Sequence, residues 1–175
     1  YSFKRCAKPI MASIHPEADG FQIFVSSNAL CQKHVQIRLM LLSADGSVCT
    51  AETKELDAAP NQSFAAMVCR ADPQSWQALI CEVTGDGVYD RAFYQPGALE
   101  LVPCGVEMTE KAGDTVTLYA GSYVHAVELE GEAIFEDNYF SLLPGESRTV
   151  SYRLTGTDSL TVQGYTLRRI QAAHA

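Results

Sequence analysis

Apolar and polar residues alternate along most of this chain, and turn residues interrupt the alternation every 8 to 15 residues. A period of two places successive side chains on opposite faces of a pleated strand, so each segment carries one apolar and one polar face. No stretch of useful length has the helical period. A chain patterned in this way has to pair its strands and bury their apolar faces against a second sheet. The pattern predicts strands over Ile10–Ile14, Phe21–Val25, Val35–Leu42, Val48–Leu56, Phe64–Cys69, Ala78–Val83 and Val88–Tyr94. In the third of these, Val35, Ile37, Leu39 and Leu41 alternate against Gln36, Arg38, Met40 and Leu42. Asp45-Gly46 reads as a tight hairpin turn and Thr84-Gly85-Asp86-Gly87 as a second glycine-rich one. Ala71-Asp72-Pro73-Gln74-Ser75 reads as a loop or as one helical turn.

Seven short strands are enough for one immunoglobulin-like sandwich. Gln95-Pro96-Gly97 and Pro103-Cys104-Gly105 then punctuate the chain, and a second series follows. Its expected strands are Val106–Glu110, Thr115–Ala120, Val124–Glu130, Thr149–Leu154, Leu160–Gly164 and Tyr165–Ile170, with turns at Gly113-Asp114 and Thr155-Gly156. The expected class is therefore all-β, as two tandem immunoglobulin-like β-sandwich domains, residues 1–104 and 105–175, with the boundary near 103 to 106. No internal sequence repeat relates the two parts.

The 175 residues carry a formal net charge of −8. Nucleic-acid binders usually present a basic footprint, and anionic membrane surfaces favour basic segments, so no nucleic acid and no membrane is expected as a partner. Six cysteines stand at 6, 31, 49, 69, 81 and 104 without a C-x-x-C pair, so zinc-ribbon spacing is absent. Cys69 and Cys81 lie within apolar strand segments, which favours reduced, buried thiols and a cytoplasmic location over a disulfide framework. The sequence opens on Tyr1 rather than Met, and its first residues read as a linker.

The segment Phe135-Glu136-Asp137-Asn138-Tyr139-Phe140-Ser141-Leu142-Leu143-Pro144-Gly145-Glu146-Ser147-Arg148-Thr149-Val150 stands apart from the alternation. Asp137-Asn138 is turn chemistry, because both side chains can bond local backbone and both tolerate left-handed conformations. Tyr139, Phe140, Leu142 and Leu143 are too apolar to remain in solvent, so the loop should be pinned to a core. Pro144-Gly145 is a strong turn signal, and Glu146 follows it. This stretch resembles the D-N-Y-F-D-L-L-P-G-E-like segment in the C-terminal immunoglobulin-like domain of β-mannosidase-type enzymes of glycoside hydrolase family two. Ser141 replaces the acidic residue expected there. Tyr1 to Ile10, with Lys4, Arg5, Lys8 and Pro9, similarly resembles the Y-x-x-K-R-x-x-x-P-[IV] lead-in to the sandwich that follows the family's catalytic barrel. The resemblance implies a non-catalytic accessory region that packs on the barrel of the same parent chain during β-mannoside hydrolysis. Related exo-glucosaminidases and endo-mannosidases have similar ends.

No residue here inherits the family's catalytic glutamates, which lie in the barrel, and no cofactor or metal is expected. Glu128, Glu130, Glu132 and Glu136 form an acidic run, with Glu128 and Glu130 about 7 Å apart on one strand face. A glycosidase needs two carboxylates facing each other across a cleft, and an alternating acidic strand is instead read as a solvated face. His15, His34, His125 and His174 are scattered, and no G-x-S-x-G elbow occurs. Carbohydrate is the partner of an alternative reading, since exposed aromatic rings can stack on sugars. Trp76, the sole tryptophan, is the foremost candidate among Trp76, Tyr89, Phe93, Tyr94, Tyr119, Tyr123, Tyr139 and Phe140; Tyr139 and Phe140 are read as anchoring the loop or docking the neighbouring domain rather than contacting sugar. Lys4, Arg5 and Lys8 read as salt-bridge donors toward the barrel. Two readings compete with the accessory one: a carbohydrate-binding β-sandwich module, and an extracellular adhesion-type pair of sandwiches.

Overall fold

The computed structural model describes residues 8–43, 45–72 and 76–170. Every element among them is a β-strand, and every pairing is antiparallel. The chain is all-β and divides into two immunoglobulin-like sandwiches, with the division at Pro96–Gly97.

The first unit contains β1 (Ile10–Glu17), β2 (Gly20–Ser27), β3 (Lys33–Leu42), β4 (Val48–Ala58), β5 (Gln62–Cys69), β6 (Ala78–Gly85) and β7 (Val88–Tyr94). Its two sheets have the orders β1-β2-β5 and β4-β3-β6-β7. The fourth strand thus lies in the larger sheet rather than beside the fifth, which distinguishes this unit from the constant-type immunoglobulin arrangement. The predicted alternation governs the interior. Phe21, Ile23 and Val25 of β2 meet Val35, Ile37 and Leu39 of β3 and Leu79, Cys81 and Val83 of β6 in one core. Beyond Leu39 the alternation fails to predict burial: Met40, Leu42, Ala78 and Ile80, on the opposite face, are buried as well.

The turns differ in kind from expectation. Asp86-Gly87 joins β6 to β7 as a two-residue connection with both φ angles positive (44° and 73°), the geometry of a type I′ hairpin. Asp45-Gly46 instead lies inside a longer connection, because Leu42 already pairs with Val48. At the open side of the sandwich, buried Asp90 of β7 accepts hydrogen bonds from the Ala12 backbone (2.8 Å) and from Lys8 Nζ (2.7 Å), so a charge-assisted bridge links the two sheets. Lys8, expected to reach for a barrel, is therefore partnered within its own unit; Lys4 and Arg5 lie outside the described residues.

The second unit contains β8 (Leu99–Cys104), β9 (Glu107–Ala112), β10 (Thr115–Tyr119), β11 (Val124–Glu130), β12 (Ala133–Phe135), β13 (Phe140–Leu142), β14 (Ser147–Leu154) and β15 (Thr161–Arg169). Its sheets have the orders β12-β14-β10-β9 and β13-β11-β15-β8. The boundary expected at 103–106 lies too far along the chain. Residues 99–104 form β8, which pairs with β15 along its whole length and so belongs to this unit. Pro103 is compatible with that strand because β8 is a sheet edge, where a missing N–H breaks no ladder. Leu160–Gly164 and Tyr165–Ile170, read from sequence as two strands, are one: β15 runs through Gly164. A Cβ at Gly164 would approach Val106 Cγ2 at 2.5 Å and the Cys104 carbonyl oxygen at 2.9 Å, so glycine here permits a close approach rather than a turn. The core comprises Val116, Leu118, Val124, Val127, Leu129, Phe135, Phe140, Leu142, Val150 and Tyr152, among others.

Candidate functional site

The motif segment crosses the second sandwich from β12 to β14. Phe135 ends β12, is 7% exposed, and packs near Tyr152 of β14. Asp137 and Asn138 then build the loop. Asn138 is buried, and its amide behaves as a short extra strand: Oδ1 accepts from the Leu129 N–H and Nδ2 donates to the Leu129 carbonyl, both at 2.8 Å. The same Oδ1 accepts from the Tyr139 N–H at 3.0 Å, and that N–H also donates to the Val127 carbonyl at 2.8 Å. A buried amide thus carries the loop's attachment to β11 beyond the backbone bond at Val127, as far as Leu129. Asp137 accepts from the Asn138 N–H (2.9 Å) through one oxygen and pairs with Arg148 (2.7 Å) through the other. The Arg148 guanidinium lies over the Phe140 ring, 4.1 Å from its centroid, so one cation answers both a carboxylate and an aromatic face.

Tyr139 adopts a left-handed φ of +56°, unusual for a bulky residue. That twist lets Phe140 enter the core (3% exposed) while Tyr139 stays 52% exposed. The Tyr139 hydroxyl donates to Glu128 Oε1 at 2.9 Å. Leu142 and Leu143 are buried, and Leu143-Pro144-Gly145-Glu146 forms a type II turn. The Leu143 carbonyl accepts from the Glu146 N–H at 3.0 Å, and Gly145 has φ +78°. Glu146 returns its carboxylate to the Leu143 N–H at 2.7 Å, and its carbonyl accepts from the Ala120 N–H, which docks the turn on β10.

The other candidates are dispersed. Glu128 also accepts from the Tyr165 hydroxyl (3.0 Å), which pushes the Tyr165 phenol above its ordinary range. Glu132 is held by the backbone and hydroxyl of Thr157, which lower its pKa. His125 is pushed down by burial, and its Nδ1 lies 3.2 Å from the Tyr123 hydroxyl. His34 is exposed and raised by its hydrogen bond to Asp57. His15 contacts Ser13 and Phe24, and His174 lies outside the described residues. Trp76, expected as a sugar platform, is 3% exposed and packs edge-on to Phe21 at 5.4 Å, so its face is turned into the core. Among the described residues no group of three or more His, Cys, Asp and Glu side chains is placed to hold a metal. At one end of the first sandwich, Glu17, Asp19, Arg70 and Asp72 rim an open concavity of about 460 Å³, and all three carboxylates there are exposed.

Residues 101–172 match the Ig-fold domain family of the mannosidases. The motif sits inside that match, with β8 at its start and β15 at its end. The whole chain is similar in fold to β-D-mannosidase of Dictyoglomus thermophilum, at 16% identity and a TM-score of 0.71, over 98% of this chain and 23% of that one. It is likewise similar to the exo-chitosanase of Amycolatopsis orientalis, at 16% identity and a TM-score of 0.60, over 97% of this chain and 27% of that one. The same enzyme described as an exo-β-D-glucosaminidase gives 17% and 0.61. The chain thus spans about a quarter of the length of these structures. No curated protein matches it by sequence.

Sequence reasoning found the motif but not the partners that give it shape. In the sequence Glu128 belongs to the acidic run of Glu128, Glu130, Glu132 and Glu136, and Tyr165 opens an expected strand. The one signal for their meeting was parity: Glu128 and Tyr165 both lie on strand faces opposite core residues, Leu129 and Gly164 being their inward neighbours.

Proposed function

We propose that this chain is a non-catalytic accessory region of a β-mannosidase-type enzyme of glycoside hydrolase family two, packing on the catalytic barrel of its parent chain and stiffening it. The observation that carries this reading is how the motif uses its polar groups. Asn138 ties the loop to β11, Asp137 pairs with Arg148, and Glu146 closes its own turn. A segment organised in this way holds shape. It does not present the two opposed carboxylates across a cleft that glycoside hydrolysis requires. The Ig-fold domain match and the likeness to a mannosidase and an exo-chitosanase support the placement within a larger enzyme. The choice of β-mannoside as the parent enzyme's substrate rests on the motif. A cytoplasmic, reducing setting belongs to the same reading and rests on the apolar strand sequences that carry Cys69 and Cys81.

The test has two arms. Purified chain mixed with an aryl β-mannoside is expected to release no more aryl alcohol than buffer does. The parent enzyme with residues 1–175 deleted is expected to keep its catalytic residues yet unfold at a lower temperature than the intact enzyme. Turnover by the pure chain, or a deletion without effect on the melting temperature, rejects the reading.

A further inference from the structure

Three side chains on neighbouring strands of the second sandwich form a polar cluster on the outer face of one sheet. Tyr139 stands immediately before β13, Glu128 on β11 and Tyr165 on β15, and these strands are adjacent in the order β13-β11-β15. Both tyrosine hydroxyls donate to the one carboxylate, Tyr139 to Oε1 at 2.9 Å and Tyr165 to Oε2 at 3.0 Å. Val127 and Leu129, on either side of Glu128, point into the core, so Glu128 projects from the outer face of the sheet. Both phenols are fixed at their tips on that face. Tyr139 is 52% exposed although it is held in a left-handed conformation that a bulky side chain disfavours.

We propose that Tyr139, Glu128 and Tyr165 form a shallow site for an oligosaccharide, with a pyranose ring stacked on each phenol and sugar hydroxyls donating to the carboxylate between them. An aromatic face is negative and attracts the polarised C–H bonds of a sugar ring. A carboxylate has about four lone-pair sites, and the two phenols take one on each oxygen, which leaves about two for a vicinal diol. The strands that carry the rings lie about 10 Å apart, two strand spacings, a span that two linked pyranose rings cover. From residue 106 onward the sequence has 10 acidic and 5 basic residues, which disfavours phosphorylated or other anionic ligands. An arginine of a protein partner could satisfy the carboxylate, but it would engage one ring rather than two. The site is independent of the accessory role and stands or falls separately from it.

Titration of the ¹⁵N-labelled chain with mannotetraose, with cellotetraose and with a tetra-arginine peptide, followed by two-dimensional NMR, tests the proposal. The expected result is saturable shifts centred on Glu128, Tyr139 and Tyr165 with a tetrasaccharide. Tyr139→Ala is expected to weaken binding about tenfold. Glu128→Gln keeps the shape and removes the charge, Tyr165→Phe keeps the ring and frees its tip, and both leave the core untouched; each is expected to weaken binding measurably in a chain whose spectrum remains folded. Absence of saturable shifts at millimolar saccharide overturns the proposal. Shifts centred elsewhere, unchanged affinity in Glu128→Gln and Tyr165→Phe, or saturation by the peptide and not by the sugars overturn it equally.

Discussion

At the scale of single residues, Asn138 does the most specific work in the second sandwich. Its amide replaces a stretch of missing ladder by pairing with both backbone groups of Leu129. Replacement by alanine leaves a buried N–H and a buried carbonyl without partners, at about 1–3 kcal/mol for each group. Asn138→Ala is therefore expected to lower the unfolding free energy by about 2–6 kcal/mol in urea titration. The turn chemistry of Asp137-Asn138 was legible in the sequence. The identity of the partner was not, because Leu129 lies nine residues away and only the register of β11 against the loop brings it there. His125 makes a second, pH-dependent contribution. Burial lowers its pKa below the ordinary value of about 6.5. The unfolded chain then binds a proton more readily than the folded one, so His125 favours unfolding as pH falls through 6.5 toward the folded value. Urea midpoints are expected to drop between pH 7 and pH 5, and His125→Gln is expected to flatten that slope. His34, raised by Asp57, works in the opposite sense: its stabilisation is present below about pH 6.5 and fades as pH rises through its folded value. It is exposed, so the effect is small.

At the scale of elements, alternation was a reliable guide wherever one face of a strand is buried and the other is open. β2, β3 up to Leu39, β7, β10 and β11 fall where the pattern puts them. It failed where chain punctuation and strand identity coincide. Pro103 and Gly164 are both turn-like residues by composition, yet each sits within a strand, Pro103 because β8 is an edge and Gly164 because another backbone passes close to it. β12 and β13 escaped notice for a different reason: three residues are too few to express a period. The 143–146 turn, by contrast, could be read directly, since Pro at its second position and Gly at its third are what a type II turn demands. A Cβ at Gly145 would meet no atom within 4 Å, so the penalty there is purely one of backbone conformation. Gly145→Ala is expected to destabilise the domain by about 1–2 kcal/mol, with no change in packing, whereas Gly145→Asn, which tolerates φ near +78°, recovers part of the loss. Thermal melts of both variants, read together, separate conformational strain from lost contacts.

At the scale of the whole molecule, the cysteines decide between a reduced accessory region and a disulfide-stapled adhesion module. Sandwich cores of this size can stand without covalent staples, and here apolar side chains from both sheets of each unit supply the interior. Cys69 and Cys81 belong to the first of those cores as small hydrophobes. Burial pushes the Cys81 thiol up to about 12, which suppresses the thiolate needed for exchange. Cys31 and Cys49 are exposed, which departs from the expectation of buried thiols, and Cys49 Sγ donates to the Leu41 carbonyl. Brief alkylation of the native chain with iodoacetamide at pH 8, followed by peptide mass analysis, is therefore expected to label Cys31 and Cys49 and to spare Cys69 and Cys81. Addition of urea before alkylation is expected to label all four without any reductant. Protection of Cys69 and Cys81 that persists in urea and yields only to a reductant would mean that they are bridged, and would return the chain to the extracellular reading.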